Sequence, residues 1–92
     1  MEEASNDKWS KLKALLEERG NWPEVYLFKF IVKNESDKID EVKSLFKDAD
    51  IDLKYSKNEN YVSVSIKEMM MNPDRVIEKY KQVGKIEGVL SL

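Results

Sequence analysis

Ninety-two residues, 41% of them hydrophobic, suffice for one small domain near the lower limit of what folds without staples. Sixteen basic residues stand against eighteen acidic ones, mixed along the chain for a net charge of −2, so the clustered positive charge that duplex nucleic-acid binding relies on is missing. Cysteine and histidine are both absent, which excludes disulfides, thiolate zinc sites, imidazole metal ligands and every Ser-His or Cys-His nucleophile pair.

The first six residues are mostly polar and read as a frayed start. From Asp7 to Arg19, the residues Trp9, Leu12, Leu15 and Leu16 recur at helical spacing, with Ser5, Asn6 or Asp7 to cap the segment and Gly20 to stop it. A lone helix of about 13 residues is marginal in water, so its apolar stripe must dock on something. The acidic start lacks the basic-then-apolar plan of a secretory signal, and no apolar run approaches the roughly 20 residues of a membrane span. The expectation is a cytoplasmic protein with no membrane partner.

Asn21-Trp22-Pro23 breaks the chain, and Pro23 biases Trp22 towards extended backbone. Glu24 to Val32 then reads as a strand with Tyr26, Phe28, Phe30 and Val32 on one face and Val25, Leu27, Lys29 and Ile31 on the other. A strand so apolar on both faces is expected at the centre of its sheet. Asn34 or Ser36 is expected to cap a second helix with the stripe Ile39, Val42, Leu45, Phe46 and Ala49. Ile51, Leu53 and Tyr55 alternate in a second strand, and Lys57-Asn58-Glu59-Asn60 reads as a hairpin turn because Asn tolerates left-handed backbone. In Tyr61 to Ile66, strict alternation of Val62, Val64 and Ile66 against Tyr61, Ser63 and Ser65 marks a strand with one buried face. A connection rich in methionine (Met69, Met70, Met71) leads to Asn72-Pro73-Asp74, a cap followed by Pro at the first helical position. Val76, Ile77, Tyr80 and Val83 form that helix's stripe, Gly84 its stop, and Ile86 to Leu92 the last strand.

The order is one extra helix (residues 1–20) and then β-α-β-β-α-β (residues 21–92). Two right-handed β-α-β crossovers joined in this way predict an α+β, ferredoxin-like sandwich: a four-stranded antiparallel sheet, first and third strands central, with two helices on one face.

Trp22-Pro23 opening an aromatic strand that contains Lys29, the run Ser56 to Ile66, and the ending Gly84-Lys85-Ile86 followed by a short apolar strand together resemble the YbeD-like family of small bacterial proteins. The resemblance covers roughly residues 21 to 92. It implies a ferredoxin-like fold similar to the ACT-type regulatory domains of amino-acid enzymes, and no established activity. Asn58 and Asn60 stand where the family tends to use Gly, and Asp48-Ala-Asp50 replaces its His-Pro-like feature. Tyr61 and Ser63 match the motif without a function attached to them.

If Tyr26 and Val64 face the helices, then Leu27, Lys29, Ile31, Tyr61, Ser63 and Ser65 face away, joined by Leu90 and Leu92 or by Val89. This half-apolar, half-hydroxyl surface is the candidate face for a ligand or a partner. RNA-binding domains of this topology stack bases on several central-strand aromatics, whereas this face offers one tyrosine and one lysine. Single-stranded nucleic-acid binding is therefore the second reading, and an enzyme built on carboxylates or on Tyr61 and Lys29 the third. The first is a non-catalytic regulatory or protein-interaction module, with ACT-like metabolite sensing implied by the resemblance alone. The first helix, or a second copy forming a homodimer, would cover the face. Asp48, Asp50, Asp52 and Glu59 imitate a calcium loop, but Leu53 occupies the position that needs Gly, and an extended Ile51 to Tyr55 is expected to spread the carboxylates over two faces. No metal and no cofactor is expected.

Overall fold

The computed structural model describes residues 3–91, with side chains from Lys8 onward. Leu92 lies outside that description, and residues 5–7, expected to cap the first helix, fall inside that helix because it begins at Glu3. The elements are α1 (Glu3–Arg19), β1 (Glu24–Lys33), α2 (Ser36–Ser44), β2 (Asp50–Tyr55), β3 (Tyr61–Met70), α3 (Pro73–Gly84) and β4 (Val89–Ser91). The strands form one antiparallel sheet in the order β2-β3-β1-β4, so β1 and β3 are central, as the sequence led us to expect.

Alternation sorts the side chains of the two central strands. Phe28, Phe30 and Val32 of β1 pair in register with Ile66, Val64 and Val62 of β3, and all six are buried. They join Ile39, Val42 and Phe46 from the α2 region and Val76, Ile77 and Val83 of α3 in a single apolar core. Burying each large side chain contributes roughly 1.5–3 kcal/mol relative to exposure, so this layer is the main source of stability. Tyr26 and Val64 both lie on its side of the sheet.

The first helix also belongs to this layer and does not cross the other face. Leu16 is buried in the core, Trp9 stacks on Tyr80 with ring centroids 6.3 Å apart, and Lys13 Nζ lies 3.1 Å from Asp74 Oδ1. The reason is local. Gly20, at φ 66, ends α1, and Trp22 turns back so that its Nε1 donates to the Leu16 carbonyl at 2.9 Å. That bond satisfies one of the carbonyls a helix end leaves open and folds α1 against α3. A cis Trp22-Pro23 peptide bond then leads into β1.

Four local expectations need correction. α2 is capped by Glu35 without a side-chain hydrogen bond, because Asn34 spends its amide on the Glu59 carbonyl (2.8 Å) and Ser36 is already inside the helix. In the hairpin it is Glu59, at φ 61, that adopts left-handed backbone. The Asn58 side chain instead accepts from Ser56 Oγ and the Asn60 N–H. β3 runs on to Met70 because β1 supplies partners as far as Glu24, so Met69 and Met70 are strand, not connection. β4 begins only at Val89, not at Ile86, since Lys85 and Ile86 continue the helical turn by donating to Gln82 and Val83. The start of α3 is as expected: Asn72 Oδ1 accepts from Arg75 N at 3.0 Å, with Pro73 at the first helical position.

Candidate functional site

Among the described residues no helix lies on the far side of the sheet. Val25, Leu27, Lys29 and Ile31 of β1 point there beside Met69, Lys67, Ser65 and Ser63 of β3. On β2 the outward residues are Asp50, Asp52 and Lys54, and on β4 Leu90 sits opposite Ile31. The phase of the last strand is thereby fixed: Leu90 joins the open face and Val89 the core side. Among the large apolar residues, Val25, Leu27, Met69 and Leu90 are 55%, 46%, 57% and 65% exposed. Val25, Leu27 and Met69 make one apolar patch and Ile31 with Leu90 another, separated by the row of Lys29 and Ser65. Exposed apolar patches are the kind of feature that marks an interaction site.

All six residues singled out in the sequence lie on this face, but they do not form one cluster. Lys29, Ser63 and Ser65 share a hollow of about 230 Å³ at its centre with Asp52 and Lys54 of β2. The hollow exists because the two serines are short where β-branched residues would fill the surface. Leu27 and Ile31 flank Lys29 along β1. Tyr61 stands apart at the end of β3, opposite Lys33 and next to the hairpin. Tyr61 and Lys29 are therefore four register positions apart, and Tyr61 is the one aromatic side chain of this face among the described residues.

Asp52 and Lys54 escaped the sequence reading, which took the β2 carboxylates as spread over two faces. Residues two apart on a strand share a face, so Asp50 and Asp52 both point outward. The cross-strand registers set Asp52, Ser65 and Lys29 in one row across β2, β3 and β1, with Asp50, Lys67 and Leu27 in the row two residues further along. Opposite charges thus face one another across β3. Among the described residues no group of three acidic side chains gathers as a metal site would require.

The hairpin beside Tyr61 is held firmly. Ser56 N donates to the Tyr61 carbonyl, Tyr61 N to Ser56 Oγ, and Asn34 N to the Asn60 carbonyl. These bonds fix the Tyr61 end of β3 to the loop between β1 and α2.

The family model for the Protein of unknown function (DUF493) family matches residues 17–92. The chain belongs to that family. The membership agrees with the YbeD-like resemblance carried by Trp22-Pro23 and the Ser56 to Ile66 run. No curated protein and no solved structure gave a match. The matched span takes in the whole sheet and its open face and leaves most of α1 outside, although Leu16 is part of the same core. Among the described residues no helix is long and apolar enough to cross a membrane.

Proposed function

We propose that this chain is a non-catalytic interaction module of ferredoxin-like, ACT-like type that works as a pair of copies packed sheet to sheet through the open face. The element order and the central placing of β1 and β3 support the ferredoxin-like assignment. The observation that carries the functional reading is the exposed apolar set Val25, Leu27 and Met69 on a face that α1 leaves bare.

A second copy is the occupant favoured by charge. A two-fold axis running along β3 places β2 of one copy over β1 of the other, because an isologous contact repeats each pairing. Asp52 of one copy then lies over Lys29 of its partner at the same height, and the reverse pairing occurs on the other side of the axis. Each strand residue covers about 16 Å² of sheet, so β1, β2 and β3, the strands that overlap about this axis, offer roughly 400 Å² per copy. Two copies together bury roughly 800 Å², the size of a weak, reversible contact. The central serines allow the two backbones to come close.

The test is the mass in solution as a function of protein concentration, by sedimentation equilibrium. Dimerisation in the micromolar range, lost in Leu27→Glu while the thermal unfolding midpoint stays within a few degrees, is the expected result. A wild-type chain that stays monomeric at high concentration overturns the reading. A dimer unaffected by Leu27→Glu places the contact elsewhere and overturns it equally.

A further inference from the structure

Glu68 breaks the pattern of the strand that carries it. On the core side of β3 the sequence runs Val62, Val64, Ile66, Glu68, Met70, and the four apolar members are buried. A carboxylate in such a series contradicts the local rule, and departures of this kind concentrate at sites with a task. Glu68 Oε1 is buried and has no hydrogen-bond partner among the described residues. A buried acceptor without a donor costs about 1–3 kcal/mol, more when charged, so in a native chain it calls for an explanation.

The surroundings supply one. Glu68 lines a groove of about 340 Å³ between the end of β3 and α3, together with Met69, Met71, Arg75, Glu78 and Lys79. That volume lies at the small end of ligand pockets. The other charges in the groove are engaged. Arg75 Nη1 lies 3.6 Å from Glu78 Oε1, while Lys79 Nζ donates to the Leu45 carbonyl and sits 5.0 Å from the centre of the Phe46 ring. What remains is one carboxylate oxygen without a donor beside the largely exposed thioether side chain of Met71. Methionine on a surface adapts to apolar ligands of varied shape.

We propose that this groove binds a small primary-ammonium compound with a short alkyl chain, its N–H donating to Glu68 Oε1 and its chain lying on Met71. The ammonium is a compact donor that suits a single free oxygen, whereas a guanidinium pairs best with both oxygens of a carboxylate at once. A divalent metal is disfavoured, since no group of three acidic side chains converges among the described residues. The site lies at the rim of α3, away from the hollow on the open face, and stands independently of dimerisation.

The ammonium has two sources, a simple amine or the α-amino group of a free amino acid, and the experiment separates them. Backbone amide NMR of the full chain is titrated with n-butylamine, norleucine and 1-butanol. The expected result is shifts centred on Glu68 to Met71 and Arg75 to Gln82 with butylamine, little response to butanol, and binding weakened on the order of tenfold in Glu68→Gln. Norleucine binding more tightly than butylamine identifies an amino acid, with Arg75 turning to its carboxylate. The reverse order identifies an amine. The absence of shifts with both ammonium compounds at millimolar concentration overturns the proposal, as does a response that survives Glu68→Gln. If Glu68→Gln does not fold, the wild-type comparison decides alone, because equal responses to butylamine and butanol reduce the site to an apolar groove and overturn it.

Discussion

The hydroxyls of Tyr26 and Tyr80 lie 3.1 Å apart, joining the first strand to the last helix across 54 residues of sequence. Around this bond the rings of Trp9, Tyr80, Phe28 and Tyr26 meet in stacked and edge-on contacts with centroids 4.8 to 6.3 Å apart. Tyr80 therefore touches α1, the sheet and the core together, and its ionisation is coupled to the fold.

Burial first, and then the hydrogen bond with Tyr26, push the Tyr80 hydroxyl well above its ordinary pKa of 10.0. The folded chain keeps that proton at a pH where the unfolded chain has released it. Above about pH 10 the unfolded state thus binds fewer protons, and stability falls as pH rises. The contribution is complete below that pH and is lost progressively above it. In a titration followed by tyrosinate absorbance, one of the four tyrosines should ionise late and together with unfolding. Tyr80→Phe should remove that late step and reduce stability at neutral pH by about 1 kcal/mol, the value of a typical hydrogen bond. Four tyrosines titrating together in the folded protein would contradict the assignment.

The docking of α1 is open to a paired substitution. Leu16 is 3% exposed and Leu15 61% exposed, although the two are neighbours on the same helix. Leu16→Ala should destabilise by about 2–5 kcal/mol, the range for truncating a buried leucine. Leu15→Ala should stay within about 0.5 kcal/mol, as surface changes do. Denaturant unfolding measures both, and equal effects would show that α1 is not seated as described. Removal of residues 1–20 should likewise lower stability through lost core contacts, not by uncovering the open face.

Much of this was legible because two periodicities are strong and local. The alternation of Val62, Val64 and Ile66 fixes which way β3 faces, and Asn72-Pro73 announces α3 through a side-chain cap and a preset φ. The docking of α1 was not legible, since an amphipathic stripe states that a helix is covered but not by what; the deciding contact, Trp22 to the Leu16 carbonyl, is a tertiary return of the chain. The length of β3 was hidden for a similar reason. Met69 and Met70 have no strand signature of their own and are held by the ladder opposite Val25 and Glu24. At the candidate site, outward-facing residues could be picked from β1 and β3 by parity. Asp52 and Lys54 entered only once the register of β2 was known, and Glu68 only once a buried oxygen lacked a donor.

Glu59 provides a test of the hairpin. Its φ of 61 is a conformation that disfavours any residue with a Cβ, by roughly 1 kcal/mol. Glycine adopts it freely but loses more entropy on folding. The backbone carbonyl of Glu59 accepts from Asn34, and this bond survives any side-chain change. Glu59→Gly should therefore raise stability by about 0.5–1 kcal/mol, seen as a higher thermal midpoint. Glu59→Val, β-branched in the same place, should lower it. If both substitutions destabilise alike, the left-handed turn is not where it is described.

The proposed pairing of sheets makes a sharper demand, because it ties Asp52 of one copy to Lys29 of the other through a row that already exists within each sheet. Lys29→Asp places two acidic residues opposite each other at both ends of the row, and Asp52→Lys places two lysines there. Each single change should weaken dimerisation by about 0.5–1 kcal/mol per pair, and more strongly at low salt, where screening is weakest. The double variant exchanges the two charges and restores the opposition, so its association should return towards that of the unaltered chain. Sedimentation at two ionic strengths reads out all four proteins. A double variant as weak as the sum of the singles would mean that the residues do not meet across the interface, since only contacting residues show such coupling.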